Sequence, residues 1–162
     1  MIQPLFDHME WADALVWRAA VAAPPDDTVR EKLHHIHLTQ HAFLSLWSRK
    51  EPAYIALSAF SDNESLIRWG RGAHDEIRNV LAKLEESELD RPLDVPWARR
   101  FGSRLGIEPA SVTLYETLMQ LPQHSTYHRG QVNLRLRQLG VEPPLTDFIA
   151  WAWLGKPEPQ WP

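Results

Sequence analysis

Histidine is the residue type that stands out for chemistry in this chain, with eight in 162 positions, while cysteine is absent. A neutral imidazole binds divalent ions through a ring nitrogen, and two histidines four apart on a helix share a face and can share an ion. Two such pairs occur, His37/His41 and His124/His128. Random placement of eight histidines gives about 0.4 pairs at that spacing, so spacing alone decides nothing. His34, His35, His37 and His41 crowd one segment without sharing one direction. At about 100° per residue, His34, His37 and His41 fall in one broad sector, and His35 is turned about 200° from His37. That geometry leaves open which of them meets a second helix. His8 and His74 lack a partner at useful spacing and read as structural. The zinc-protease pattern His-Glu-x-x-His is not met, because Ser125 stands where its general base would be.

The elements that must carry these residues can be drawn from proline and capping signals. Leu and Ala outnumber the β-branched residues 37 to 21, and glycines are few, which favours helices over sheets. Thirteen prolines punctuate the chain, and the long gaps between them are candidate helices. The first, about 5–23, has an apolar stripe at Leu5, Met9, Ala12, Leu15, Val16 and Ala19 and stops at Pro24-Pro25. The second, about 27–49, opens with Asp26 or Asp27 as a cap and stops before Pro52. The third, about 61–84, opens with Ser61-Asp-Asn-Glu64, which fits a capping box. The fourth opens with the capping box Thr113-Leu-Tyr-Glu116 and stops at Gly140. Pro122 lies inside it, two residues before His124, and predicts a kink there. Residues 85–112 read as an irregular loop with room for a hairpin. Residues 141–162 read as a Pro- and Trp-rich tail in which Phe148–Leu154 forms a short packing helix or strand. The expectation is a single all-α domain over 1–162, built as a four-helix bundle.

Net charge is −4, which offers no basic field for nucleic acid, and Arg99, Arg100 and Arg104 make only a small basic patch. No apolar run is long enough to span a membrane, and the N-terminus lacks a signal-peptide pattern. A soluble, cytoplasmic protein is expected. The absence of cysteine excludes a disulfide framework, a thiolate metal ligand and a thiol nucleophile from the chain itself.

At His124-Ser-Thr-Tyr-His128-Arg-Gly-Gln131 the chain closely resembles the DinB/YfiT-like family of four-helix-bundle proteins, whose signature there is His, three residues, then His-Arg-Gly-Gln. Trp11-Ala12-Asp13, Leu33-His-His35 with Phe43-Leu44, Gly140-Val-Glu-Pro-Pro144 and Thr146-Asp147-Phe-Ile149 also resemble the family in order and spacing. The resemblance spans essentially the whole chain. It implies an up-down-down-up bundle, frequent dimers, and a metal triad of His35, His124 and His128 holding nickel or zinc. Phe43 then fills the family's aromatic position eight residues after the second-helix ligand, which favours His35 over His34. Gln123 and Gln120 depart from the family, standing where many members have Asn and a further His.

The resemblance further implies a metal-dependent transferase that joins a low-molecular-weight thiol to a small-molecule electrophile. Metal-dependent hydrolysis is the second reading. A non-enzymatic metal- or ligand-binding dimer of the stress response is the third. Gln131 is a candidate to orient a ligand by hydrogen bonding. Arg129 reads as turned away from His128, toward a salt bridge or a dimer contact. Of eight tryptophans, Trp11, Trp17, Trp47 and Trp69 read as core or interface. Trp97, Trp151, Trp153 and Trp161 lie in loop or tail segments and include candidates to roof the pocket.

Overall fold

The computed structural model describes residues 2–162, which form six α-helices and one two-stranded ribbon. Four long helices dominate: α1 (Gln3–Ala22), α2 (Asp27–Trp47), α3 (Asn63–Leu81) and α5 (Leu114–Gln138). Two short ones, α4 (Ala98–Leu105) and α6 (Phe148–Trp153), flank α5 in sequence. The protein is all-α in class, as its composition predicts.

Local chemistry explains the helix ends. Asp26 caps α2 by accepting from the Val29 N–H at 3.0 Å, and its other oxygen takes Arg135 of α5 at 2.6 Å. The cap of α3 is Asp62, with Ser65 closing the box, one residue beyond the expected Ser61/Glu64 pair. The carboxylate is the better acceptor, and the Ser61 hydroxyl donates to it instead. The box Thr113/Glu116 starts α5 as expected. α2 ends earlier than its downstream proline requires, because Arg49 turns left-handed (φ 57°) and the Lys50 N–H returns to the Ser45 carbonyl at 2.8 Å. Gly140, at φ 79°, ends α5 in the same way, with the Val141 N–H bonded to the Leu136 carbonyl. α5 stays helical through Pro122, which is buried within it.

The segment 85–112 is more ordered than an irregular loop. β1 (Pro92–Leu93) pairs antiparallel with β2 (Val112–Thr113), so a hairpin-like closure brackets α4. Gly102 lets α4 pack closely on Ile107 and Pro109, since a Cβ there would lie 2.6 Å from the Ile107 carbonyl oxygen.

The interior is layered. One apolar cluster gathers Phe6 and Met9 of α1, Phe43, Leu44 and Trp47 of α2, Ile77 of α3, and Leu114, Leu118 and Leu121 of α5. The other gathers Val16 and Trp17, Val29, Leu33 and Ile36, Leu66 and Ile67, and Val132 and Leu136 from the same four helices. Between the two in helix register lies a buried polar layer: Asp13, His37, Gln40, His74, Ser125 and Arg129. The tail returns along α1, with Trp151 (3% exposed) packed on Trp11 and Ala12. No helix among the described residues is long and apolar enough to cross a membrane.

Candidate metal centre

α2 and α5 are the most closely packed pair of helices, and the three histidines come from them. His124 and His128 sit one turn apart on α5, with ring centroids 4.4 Å apart. His35 of α2 faces both, its ring centroid 5.1 Å from that of His124 and 4.4 Å from that of His128. One ring nitrogen from each of the three lies within 4.8 Å of the others. All three are half-buried.

The donor set is chemically suited to a divalent cation. Burial, followed by the His128 and His35 imidazoles, lowers the His124 pKa to about 4. Burial first, then His128 and Lys32, lowers that of His35. Burial also lowers His128, although the bond to Gln131 opposes it. Three imidazoles that shed their protons easily leave three lone pairs free near neutral pH. The His128 Nδ1–H donates to Gln131 Oε1 at 3.0 Å, which leaves its Nε2 as the free lone pair. The Nδ1 of His124 is buried and has no hydrogen-bond partner among the described residues. Arg91 Nε, Arg129 Nε and Asn133 Oδ1 are likewise buried without a partner, and among these four His124 Nδ1 is the imidazole nitrogen, a group that can ligate a metal.

The other helix-two histidines are committed elsewhere. His34 Nε2 bonds to the Ile55 carbonyl at 2.9 Å and its ring stacks on Trp69. His41 Nε2 bonds to the Trp69 carbonyl at 3.1 Å, so the His37/His41 pair, despite its spacing, shares no site. His8 bonds to the Thr146 carbonyl at 2.9 Å, a structural role as expected.

His37 belongs to a second group of potential ligands, with Asp13 and His74, that is fully buried. Here Asp13, His37 and His74 are already hydrogen-bonded to protein partners, and in the surrounding network Arg129 Nε is left without one. Trp17 Nε1 donates to His37 Nε2 at 2.7 Å, His37 Nδ1 donates to Gln40 Oε1 at 2.7 Å, and Gln40 Nε2 donates to Asp13 Oδ2 at 2.7 Å. Asp13 also accepts from His74 Nε2 at 3.1 Å and from Arg129 Nη1 at 2.7 Å. Burial raises the Asp13 pKa, but Arg129 and the His74 hydrogen bond outweigh it and hold the carboxyl well below the usual carboxylate range. Burial lowers His37 to about 4, against the pull of Asp13. A cation here would have to displace bonds that are short and satisfied, so this group reads as an internal brace.

Arg129 therefore makes the salt bridge that its position beside His128 suggested, and makes it inside the protein. The brace as a whole escaped sequence reasoning. Its one legible signal was Asp13, a carboxylate set in the apolar stripe between Met9 and Val16, which demands a buried partner.

The histidine triad borders a cleft of about 1530 Å³ between α2, α5 and the 92–112 excursion. Leu38, Ala42 and Phe43 form its α2 wall, Thr117 and Gln120 its α5 wall, and Trp97 and Phe101 project from the excursion. Phe43 meets Trp97 edge to face at 5.3 Å. Tyr127, 66% exposed, stands at the rim with its ring 5.0 Å from that of His128. Arg99 and Arg100 also line this cleft, from the first turn of α4. Of the four loop and tail tryptophans, Trp97 alone lines it. Trp151 is core, and Trp161 donates to Glu10 at 3.3 Å on the side of the brace.

Comparison with known proteins agrees with this geometry. The family model described as "DinB family" matches residues 5–160. Protein DinB of Bacillus subtilis (strain 168) is 21% identical over 170 residues, covering 95% of each chain.

Proposed function

The chain belongs to the DinB family, and from that premise we propose that it is a divalent-metal protein whose ligands are His35, His124 and His128. The observation that carries this reading is the convergence of three imidazole nitrogens from two helices at the edge of a large cleft. Nickel and zinc suit three neutral nitrogen donors with further positions open to solvent. The register of the two apolar layers supports a single-domain bundle with up-down-down-up order, because the early residues of α1 and α5 share a layer with the late residues of α2 and α3.

A bound divalent ion supplies Lewis acidity, which lowers the pKa of a coordinated thiol or water. The chain's own residues do the rest. His35, His124 and His128 bring ring nitrogens within 4.8 Å of one another, Gln131 fixes the tautomer of His128, and the α2 wall with Trp97 and Phe101 gives the cleft an apolar side. The favoured activity is transfer of a low-molecular-weight thiol to an electrophilic small molecule. The chain has no cysteine, so the sulfur nucleophile comes with the cosubstrate. The cleft exceeds the roughly 300–1,000 Å³ of a site for one drug-sized ligand, which suits two reactants. Hydrolysis is the weaker reading. Of the three carboxylates lining the cleft, Glu116 is occupied by the Thr113 cap, and Asp94 and Glu108 stand on the 92–112 excursion rather than on the helices that carry the triad. We place the protein in the cytoplasm as a homodimer.

The test is metal content after exposure to equimolar nickel and zinc. Wild type retains about one equivalent, while His35→Ala, His124→Ala and His128→Ala lose it and His34→Ala does not. Retention by the three triad variants would overturn the ligand assignment. A screen of thiols against a chromogenic electrophile then tests the transferase reading, and equal rates with and without thiol refute it.

A further inference from the structure

We propose that Asp13, acting with Gln40 and Arg129, is a positioning residue for the three-histidine centre: it fixes the rotation of α2 against α5 so that ligands from both helices meet. The proposal rests on the metal reading above. None of the three touches the triad in the role of a ligand.

Hydrogen-bond polarity dictates what position 13 must be. The Trp17 indole can only donate, so the His37 Nε2 it faces at 2.7 Å must accept. His37 then carries its proton on Nδ1 and donates to Gln40 Oε1, which turns the Gln40 amide N–H₂ toward Asp13. Arg129 can only donate as well. The two donor-only ends therefore require a pure acceptor at position 13, and an ionised carboxylate meets that need. An amide in its place would set N–H against N–H on at least one side.

The bonds that meet at Asp13 all cross between helices. Asp13 of α1 receives Gln40 from α2, His74 from α3 and Arg129 from α5. The fixing points also sit beside the ligands. Arg129 comes directly after His128 on α5, and Ser125, which receives a longer contact from Gln40 at 3.4 Å, comes directly after His124. On α2, His37 lies two residues after His35. The two helices present the triad on one face and the brace on another.

Leverage makes this matter. An imidazole nitrogen lies about 6 Å from its helix axis, so rotating a helix by about 10° moves it about 1 Å. Metal–ligand distances tolerate about 0.2 Å, which corresponds to roughly 2° of rotation. Short, charged hydrogen bonds lose strength steeply when misaligned, and a buried polar network is the device best suited to select one register.

The experiment uses the full-length protein in three variants of decreasing severity: Asp13→Asn, the double change Asp13→Leu/Arg129→Met, and Arg129→Lys. The double change removes both charges together, and Arg129→Lys keeps the charge but loses the planar fork. Zinc affinity is measured by competition with a chromophoric chelator, and the visible absorption of bound cobalt(II) reports ligand geometry. Asp75→Ala, on the surface of α3, is the control. Variants that unfold cooperatively are expected to bind zinc about 10–100-fold more weakly than wild type, with altered cobalt band intensity. The control matches wild type in both. A merely structural role lowers stability but leaves the affinity and spectrum of the folded protein unchanged, and that result in any folded variant would overturn the proposal. Wild type that binds neither ion overturns the metal reading and this proposal with it. Wild type that binds, beside variants that match it, overturns this proposal alone.

Discussion

Gly70 and Gly72 lie two residues apart in α3, and the structure predicts opposite outcomes when each becomes alanine. A Cβ on Gly70 would lie 2.5 Å from Cδ2 and Nε2 of His37 and 2.6 Å from its Cε1. The His37 ring cannot move aside, because Trp17 and Gln40 hold its two nitrogens at 2.7 Å each and it is 0% exposed. Overpacking costs about 1–3 kcal/mol. Displacing the ring breaks at least one buried hydrogen bond, a further loss of about 1–3 kcal/mol. The better helix propensity of alanine returns about 1 kcal/mol. Gly70→Ala is therefore expected to destabilise the protein by about 1–5 kcal/mol. A Cβ on Gly72 meets nothing within 4 Å, so Gly72→Ala keeps only the propensity gain, about 0.5–1 kcal/mol of stabilisation. The assay is equilibrium unfolding in urea, monitored by circular dichroism. With a slope of about 2 kcal/mol/M, the Gly70→Ala midpoint falls by roughly 0.5–2.5 M and that of Gly72→Ala rises by a few tenths of a molar unit. Equal midpoints for the two variants would refute both the placement of His37 and the claim that its ring is held fast.

Further outcomes can be checked independently. Metal-free protein should lose stability as pH falls from about 6.5 to 4, because His37 stays neutral in the folded state down to about 4 while the unfolded chain takes up a proton near 6.5. That histidine alone accounts for about 3 kcal/mol over the window, and a flat denaturation midpoint between pH 6.5 and 4 would contradict it. Gln131→Ala should weaken zinc binding about 10-fold or more with little change in melting temperature, since Gln131 holds the His128 tautomer from a half-buried position. Trp151→Ala should cost about 3–5 kcal/mol, the loss of a core aromatic, whereas Trp153→Ala, 79% exposed, should stay within about 0.5 kcal/mol. Comparable losses for both would mean that α6 buries a different face.

Much of the framework was legible in the order of residues, because the signals involved act over a few positions. Prolines and capping boxes marked four long helices, and Thr113/Glu116 and Gly140 bound α5 as expected. Where such signals compete at close range the reading slips: Asp62 outcompeted Ser61 as the cap of α3, and Arg49 ended α2 through a left-handed turn that no proline or glycine announced. α4 was not legible, because its eight residues are stabilised by the ribbon that brackets it and by the close contact of Gly102 with Ile107 and Pro109 rather than by their own pattern.

For the site, the primary sequence by itself determined that imidazoles would be the donors, that His124 and His128 share a helix face, and that no sulfur ligand comes from the chain. Spacing left four helix-two histidines as candidates, and it was the family resemblance, with Phe43 eight positions on, that favoured His35. Tertiary structure distributed them: His34 and His41 to backbone carbonyls, His37 to the brace, and His35 to the face opposite α5. The reason is physical. Spacing along one helix sets which side chains are parallel, but which face looks at which neighbour depends on the rotation of two packed helices. Here that rotation is read from groups far apart in the chain, Asp13, Gln40 and Arg129, whose donors and acceptors meet in one arrangement.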